Sequence, residues 1–326
     1  MIETMHNNIH RIRVPLPDSP LKELNAYCIT GGNRHLLIDT GFNRPECRKA
    51  LSAALTELDV DKRKLDICVT HLHADHAGLA ANLAKETEGV IWASDGDGKA
   101  VNDYAQVKDH HARLAWRMLP HGFSREQLNV LVANHPGIRF SSEVMEFQTL
   151  RDGDTLHYGG YDLRVVSVPG HTPDQIALYE EKHKLFFSGD HILGDITPNI
   201  TRWPTATDSL GDYLHSLDAV SRLDISLTLP GHRSLIYDTQ SRIGQIRAHH
   251  ERRLDEVRHI LAEGPFNAYT VASRMTWEIR YSSGEDFPVP QKWFATGEAL
   301  SHLDRLVALN EVEEQKRDDL TFFFRK

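Results

Sequence analysis

The chain has 326 residues, 40% of them hydrophobic and 25% charged, which is typical of a folded globular protein of about two domains. Its formal charge of −9 argues against a nucleic-acid-binding protein, because phosphate binding needs clustered positive charge. Three scattered cysteines exclude a disulfide framework, and no apolar run reaches the roughly 18 residues of a membrane span. The first 20 residues lack a signal-peptide pattern, so the expected location is cytoplasmic.

The first 98 residues alternate between predicted strands and helices. Buried strands are expected at 35–41, 65–70 and 90–94, where short apolar runs end in turn residues. Helices are expected at 43–58 and 77–89, where apolar residues recur at helical spacing. This alternation predicts an α/β layered domain.

A helical insert is predicted at about 99–146, because a long polar and aromatic stretch has helical spacing and is cut at Pro120 and Pro136. β-Structure returns after it. The elements expected next are a strand-rich stretch, a helix and a strand, at 147–190, 209–223 and 225–232.

The composition shifts near residue 240, where one long amphipathic helix is predicted to end at Gly264 and Pro265. Two shorter helices, at 268–276 and 295–309, and a hairpin at 312–326 complete the pattern. Three helices and a terminal hairpin are the outline of a winged helix. The expected organisation is therefore one domain at 1–239, which contains the insert, and a winged-helix-like domain at 240–326.

The segment His71-Leu72-His73-Ala74-Asp75-His76 carries the strongest chemical signal. It lies between a predicted buried strand and a helix. Alternation in an extended backbone points His71 and His73 to one face, and Asp75 is favoured near the start of a helix. Twenty histidines in the chain strengthen this signal, since imidazole is the commonest metal ligand. Four ligand-type side chains within six residues can serve two metals.

Three more ligand-type residues each follow a short apolar run and a glycine: His171, Asp190 and His232. Strand ends that deliver polar side chains to one edge of a sheet are a common way to build a site. The sequence therefore predicts that these residues join the 71–76 segment.

These motifs, together with Asp39, resemble those of the metallo-β-lactamase superfamily over about residues 10–235. The resemblance implies an αββα sandwich. It also implies one metal on His71, His73 and His171, with Asp190 as a bridge to a second metal. The ligands implied for the second metal are Asp75, His76 and His232. Asp39 matches the carboxylate that orients a ligand histidine in this family.

Two positions indicate which members of the family the sequence resembles most. Asp190 stands where some metallo-β-lactamases have a cysteine ligand, and His73 stands where diiron members have glutamate. The pattern looks more like that of glyoxalase II, the lactonases and RNase Z-like enzymes, although the RNase Z arm motif is not visible. Thr172 to Gln175 lack the Gly-His that often follows in thioesterase-like members.

The C-terminal 90 residues add a resemblance to the β-lactamase-like 2 group, in which a winged-helix tail follows the lactamase domain. That group includes single-strand endoribonucleases and acyl-carrier thioesterases. Over residues 235–326 the 13 Lys and Arg stand against 15 Asp and Glu, a net charge of −2, whereas a nucleic-acid-reading wing should be basic. The tail is therefore expected to serve packing or to form a homodimer.

The resulting prediction is a dinuclear metal-dependent hydrolase that uses a metal-bridging hydroxide on a thioester, ester or lactone. Two Zn²⁺ ions per chain are expected, and Mn or Fe would also suit these ligands. Asp75 and Asp190 would hold the hydroxide and accept its proton. The predicted substrate is a small molecule, and the candidate pocket residues are His111, Trp116, Asn199 and Trp203.

The alternatives are a single-strand endoribonuclease or a phosphodiesterase of the same fold, and a nucleic-acid-binding regulator that uses the tail. RNA is thus a possible partner. The candidate phosphate-binding strip consists of basic residues on the long helix: Arg247, His249, His250, Arg252 and Arg253.

Overall fold

The structure is a computed structural model that describes residues 1–106, 110–134, 136–277 and 287–326, apart from the side chains at positions 110, 111, 114, 134, 136 and 138. The chain divides into two compact units. The first comprises Met1–Lys108, Pro136–Pro198 and Ser216–Ile243, and the second comprises Asp109–His135, Asn199–His215 and Gly244–Lys326.

Twelve described strands build two sheets in the first unit. The first sheet has seven strands in chain order: β1 (Ile2–His6), β2 (Ile9–Pro15), β3 (Glu23–Ile29), β4 (His35–Ile38), β5 (Leu65–Cys68), β6 (Ile91–Ser94) and β7 (Gln148–Leu150). Strands β1 to β4 pair antiparallel, and β4 to β7 pair parallel.

The second sheet has five strands in the order β12-β11-β10-β9-β8. They are β8 (Thr155–Tyr158), β9 (Tyr161–Ser167), β10 (Ile176–Glu180), β11 (Leu185–Gly189) and β12 (Leu227–Pro230). Strands β8 to β11 pair antiparallel, and β12 lies parallel to β11. Strands β9, β11 and β12 therefore run in one direction and end at the same edge of the sheet.

A shared apolar core packs the two sheets face to face. Ile29, Leu36 and Ile38 from the first sheet join Leu178 and Phe187 from the second in one buried cluster. In β9, Tyr161, Leu163 and Val165 are buried while Asp162 and Arg164 between them are more accessible, as expected where one face of a strand meets the core. The layered α/β fold predicted from the sequence is confirmed.

The described helices lie between and after the strands. In chain order they are α1 (Pro45–Glu57), α2 (Ala74–Ala77), α3 (Ala80–Ala84), α4 (Asp95–Gln106), α5 (His110–Trp116), α6 (Arg125–Asn134), α7 (Pro136–Arg139), α8 (Ser209–Val220), α9 (Thr239–Ala262), α10 (Ala268–Arg274) and α11 (Val289–Ala308). Two short 3₁₀ turns occur at Lys62–Lys64 and Leu119–His121.

The helix predicted over 77–89 is wrong in extent, because the chain forms α2 and α3 with a break between them. At the break, the Leu79 amide donates to the carbonyl oxygen of Gly41 and to Thr40 Oγ1. Gly78 also lies so close to the chain that a Cβ atom there would come within 2.6 Å of the Gly41 oxygen. The tertiary contact thus interrupts a helix that the local sequence favours.

The second unit contains α5, α6, α10, α11 and a terminal hairpin of β13 (Val312–Arg317) and β14 (Leu320–Arg325), with parts of α8 and α9. The last predicted helix begins at Val289 rather than 295, because Pro290 is tolerated in a first helical turn. Phe323 from β14 is fully buried, and its amide donates to the carbonyl of Phe266. No helix among the described residues is both long and apolar enough to span a bilayer.

Candidate metal centre

Five strand ends of the first unit deliver the polar residues predicted from the sequence. Asp39 follows β4, and the 71–76 segment follows β5. In the second sheet, His171, Asp190 and His232 follow β9, β11 and β12 respectively. The structure brings the predicted ligand set together at this edge.

Three imidazoles form the first group that could hold a metal: His71, His73 and His171. The Nδ1 atom of His73 lies 3.1 Å from Nε2 of His71 and 3.0 Å from Nε2 of His171. Three ring nitrogens therefore converge on one point, as the ligands of a tetrahedral zinc ion do.

The second group consists of Asp75, His76 and His232. The Nε2 atoms of His76 and His232 are 3.2 Å apart, and Oδ2 of Asp75 lies 3.3 Å from Nε2 of His232. Asp75 and His76 both lie in α2, so one short helical turn contributes two members of the group.

Asp190 lies between the two groups. Its Oδ1 atom is 3.4 Å from Nε2 of His76, and its Oδ2 atom is 3.7 Å from Nε2 of His171 and 3.6 Å from Nε2 of His232. It also combines with His71 and His76 as a third possible ligand group. One carboxylate is thus within reach of both groups.

Asp39 fixes the orientation of His76. Its Oδ2 atom accepts a hydrogen bond from Nδ1 of His76 at 2.7 Å, so the other ring nitrogen faces the site. Thr70 links the same carboxylate to the neighbouring ligand, because its hydroxyl lies 2.8 Å from Asp39 Oδ2 and 3.1 Å from Nδ1 of His71. Asp39 adopts the left-handed conformation (φ 61°), which aspartate tolerates better than most residues.

His232 is oriented by the backbone. Its Nδ1 atom donates to the carbonyl oxygen of Glu23 at 2.8 Å, which leaves Nε2 toward the site. Gly231 is required by close packing, since a Cβ atom there would lie 2.7 Å from Asp190 Oδ1 and from a ring carbon of His76. Such contacts fix the side chains of His232, Asp190 and His76, as supporting residues do around a metal site.

Burial and charge divide the histidines into two classes. Burial lowers the pKa of His71 well below its ordinary value and that of His73 to about 3, so both rings are neutral and present lone pairs. Burial also opposes the charged form of His76, but the charges of Asp190 and Asp39 raise its pKa well above the ordinary value. Burial alone would raise the pKa of Asp190, yet His232 and His76 hold it well below its usual range.

The donor set fits a metal ion. His71 and His73 are neutral and Asp190 is ionised, which are the protonation states that metals bind. A metal would replace the proton that Asp190 and Asp39 favour on His76. Among the described residues, the buried Asp190 Oδ1 atom has the 3.4 Å ion pair with His76 Nε2 but no well-aligned hydrogen bond, which is costly for a carboxylate oxygen. A cation between the two groups would satisfy this oxygen.

The sequence profile of the metallo-β-lactamase superfamily matches residues 23–232, which include every residue of this cluster. The chain belongs to the metallo-β-lactamase superfamily. It therefore belongs to a superfamily of metal-dependent hydrolases, and the prediction of an enzyme is confirmed at that level.

Curated relatives of this superfamily member carry hydrolase names. A probable metallo-hydrolase of Bacillus subtilis is 26% identical over 324 residues, which cover 96% of each chain. A β-lactamase-like protein 2 homolog of Caenorhabditis elegans is 25% identical over 74% of this chain and 67% of its own. An atrochrysone carboxyl ACP thioesterase of Aspergillus fumigatus is 24% identical over 74% of this chain but only 45% of its own.

A solved structure extends the similarity over the whole length. A metallo-β-lactamase family protein from Thermus thermophilus shares 26% identity and a TM-score of 0.84, and the match covers 99% of this chain and 100% of that one. The resemblance to the superfamily and to proteins named β-lactamase-like 2 is thus confirmed.

The predicted pocket residues of this superfamily member all belong to the second unit. The side chain of His111 lies outside the described residues. Trp116 lies under the guanidinium of Arg125, and the Asn199 amide lies 3.3 Å from Glu298 Oε2. Trp203 is half-buried, and its carbonyl accepts the Ala206 amide. Their role as pocket residues stays a prediction.

The predicted phosphate-binding strip on α9 is wrong for two of its members. His250 is 1% exposed and Arg253 is 7% exposed, so neither presents its charge to solvent. Arg253 donates to Glu256, Glu298 and the carbonyl of Thr276. The apolar spacing of α9 predicted its helix but not which polar residues it buries.

Sequence reasoning missed two groups that orient the site. Thr70 and the carbonyl of Glu23 carry no motif, because a backbone carbonyl can come from any residue and threonine is common at strand ends. Only the tertiary structure could have identified them.

Proposed function

We propose that this protein is a dinuclear metal-dependent hydrolase that acts on a thioester, ester or lactone. The observation that carries the proposal is the convergence of two ligand groups on Asp190. Zinc is the proposed metal because three imidazole nitrogens that lie within 4.8 Å of one another suit its tetrahedral geometry. Manganese or iron would accept the same nitrogen and oxygen ligands.

His71, His73 and His171 would hold one ion, and Asp75, His76 and His232 the other, with Asp190 shared. When bound, such a pair of ions polarises a carbonyl oxygen and lowers the pKa of a water molecule. Asp39 and the Glu23 carbonyl keep the Nε2 atoms of His76 and His232 directed into the site.

The chain's own carboxylates would handle the proton of the attacking water. Asp75 is the most exposed of the acidic residues here, with 14% of its side chain accessible against 8% for Asp190. Its pKa, although raised by burial, is brought to about 2 by the hydrogen bond with His232 and the charge of His76, so the carboxylate is ionised. The exposure of Asp75, rather than its basicity, supports the assignment that follows. We assign Asp75 to accept the proton at its carboxylate and Asp190 to hold the water in place.

A thioester is the first choice of substrate because one relative is named as an acyl-carrier-protein thioesterase. The buried state of His250 and Arg253 weakens the alternative of an endoribonuclease, since it removes two cations from the strip on which that alternative depends. The candidate pocket residues remain His111, Trp116, Asn199 and Trp203.

We further propose that residues 240–326 form a winged-helix-like tail that serves packing or homodimer formation, in a cytoplasmic protein. The support is the order of α9, α10, α11 and the β13–β14 hairpin. The tail's net charge of −2, from 13 basic and 15 acidic residues over 235–326, opposes a role in binding nucleic acid.

A substrate panel tests this proposal. The zinc-loaded protein would be offered an acyl thioester, a lactone, bis-p-nitrophenyl phosphate and a labelled single-stranded RNA. We expect turnover of the thioester or the lactone, which a chelator abolishes. RNA cleavage without carbonyl hydrolysis would replace the proposal with the endoribonuclease.

Substitutions of proposed ligands test whether the hydrolysis takes place at the metal centre. Asp190→Asn and His73→Ala should each lose most of the turnover, because each removes a proposed ligand. His157→Ala is the matched control, since His157 lies on β8 and its side chain is 72% exposed. Full turnover in Asp190→Asn would contradict the shared-ligand role of Asp190.

A further inference from the structure

A buried carboxylate outside the ligand set connects two of the loops that carry ligands. Asp97 lies in the first turn of α4 and is 2% exposed. Its Oδ2 atom accepts hydrogen bonds from the amide of Leu72 at 3.2 Å and from the hydroxyl of Thr172 at 2.5 Å. Leu72 stands between His71 and His73, and Thr172 is next to His171.

Hydrogen bonds run in both directions between the first turn of α4 and residues 172–174. Asp97 accepts a hydrogen bond from Thr172, while the amide of Gly96 donates to the carboxylate of Asp174 at 2.6 Å. The first turn of α4 is therefore bonded to residues 172–174 from both sides and also to the 71–76 segment. Glycine at 96 allows this approach, because a Cβ atom there would come within 2.9 Å of the Asp174 carboxylate.

The first ligand group depends on the spacing of the same two loops. The 3.0 Å approach of His73 Nδ1 to His171 Nε2 joins the loop after β5 to the loop after β9. Sub-ångström errors in such a spacing weaken a metal site, since ligands must meet one ion at fixed distances. Asp97 is hydrogen-bonded to both of these loops, through Leu72 in one and Thr172 in the other. Its described hydrogen bonds reach none of the histidine rings.

We propose that Asp97 is a positioning residue that holds the loops of His71, His73 and His171 at metal-binding distance. The inference rests on the proposed metal-binding function, and it assigns Asp97 no contact with metal or substrate. Loss of its carboxylate leaves the buried Leu72 amide and the Thr172 hydroxyl without their acceptor and lets the two loops separate.

The test measures zinc affinity by competition with a chromophoric chelator. Asp97→Ala should bind zinc about tenfold or more weakly at the first group, the loss typical of residues that support metal ligands. Asp97→Asn should stay close to the wild type, because Leu72 and Thr172 donate to the same oxygen and an amide carbonyl can accept both. Asp95→Ala is the matched control, since Asp95 begins the same helix with its side chain 55% exposed.

A second measurement on the metal-free protein separates this inference from the proposed function. Hydrogen–deuterium exchange should be faster in Asp97→Ala than in Asp95→Ala for peptides covering 71–76 and 171–175. If the wild type takes up no zinc, the proposed function fails, while the exchange comparison still tests the connection between the loops.

Unchanged zinc affinity together with unchanged exchange in Asp97→Ala would overturn the proposal. If Asp97→Ala fails to fold, the Thr172→Val variant tests the proposal instead. It removes the hydroxyl that donates to Asp97 and keeps the shape of the side chain. We expect weaker zinc binding and faster exchange at 171–175 in that variant, and wild-type values for both would refute the role of Asp97.

Discussion

At the scale of single residues, the geometry of the site depends on the groups that orient the histidine rings as well as on the histidines themselves. Asp39 bonds both His76 and Thr70, and Thr70 in turn contacts His71. One carboxylate thus reaches a histidine in each of the two groups. This arrangement explains why an aspartate occupies a left-handed position at the end of β4.

Asp39→Asn should lower zinc affinity by about 10- to 100-fold, because it removes the charge that orients His76. A competition titration with a chelator measures this. Asp162→Asn is the control, since Asp162 is an exposed acid on β9 that pairs only with the exposed His157 among the interactions described. Equal affinities in the two variants would refute the orienting role.

The convergence of the seven ligand-type residues was predictable from the sequence because their segments each follow a short apolar run, and the family resemblance supplied the proposed grouping. The supporting residues were not predictable. Thr70, Asp97 and the Glu23 carbonyl act through contacts between segments far apart in the chain, and no local pattern records such contacts.

At the scale of elements, close approach between helices and their neighbours fixes where glycine is needed. Gly98 in α4 faces Phe147, and a Cβ atom at 98 would lie 2.5 Å from its ring. Gly244 in α9 has nothing within 4 Å of the same position. The two glycines therefore predict opposite effects of one substitution.

Gly98→Ala should destabilise the protein by about 1–3 kcal/mol through overpacking. Gly244→Ala should stabilise it by about 0.5–1 kcal/mol, because alanine loses less conformational freedom in a helix. Urea unfolding of both variants measures the difference. Equal shifts in the same direction would contradict the described packing of α4.

A second element-scale feature is the pair of buried histidines that joins α9 to α11. His250 Nδ1 lies 3.2 Å from His302 Nε2, and His302 Nδ1 donates to the carbonyl of Glu298. Burial, reinforced by the neighbouring His302 and His249, holds the pKa of His250 well below its ordinary value of 6.5. Burial likewise lowers the pKa of His302.

A lowered pKa in the folded state means that the unfolded chain binds protons more readily. The contribution of these histidines to stability is therefore complete above pH 6.5 and is lost as the pH falls below it. The wild type should lose stability relative to His250→Gln between about pH 6.5 and 5, by up to about 1.4 kcal/mol per pH unit.

Unfolding free energies measured across that range give the comparison. His259→Gln is the control, because His259 is exposed on the same helix, and it should follow the wild type. A constant difference between the wild type and His250→Gln would show that His250 is not buried in its neutral form.

The elements themselves show where sequence prediction succeeds and fails. Strands β4, β5 and β6 were predictable because their apolar runs are too short for a helix and are bounded by turn residues. The extent of the 77–89 helix was not, because its interruption depends on a hydrogen bond from Leu79 to Gly41. The burial of Arg253 was also not predictable from the sequence, because it depends on a hydrogen bond to Glu298 in another helix.

At the scale of the molecule, the fold explains where the site lies. Two sheets share an apolar core, and strands from both end at the edge where seven ligand-type side chains meet. The superfamily match over residues 23–232 covers all seven of these side chains and the strands that carry them. We propose that this edge binds two metal ions and uses them for hydrolysis.

Elemental analysis of the zinc-loaded and dialysed protein tests that claim most directly. We expect about two zinc ions per chain in the wild type and about one in Asp190→Asn, because Asp190 lies within reach of both ligand groups. A content of one ion or none in the wild type would contradict it.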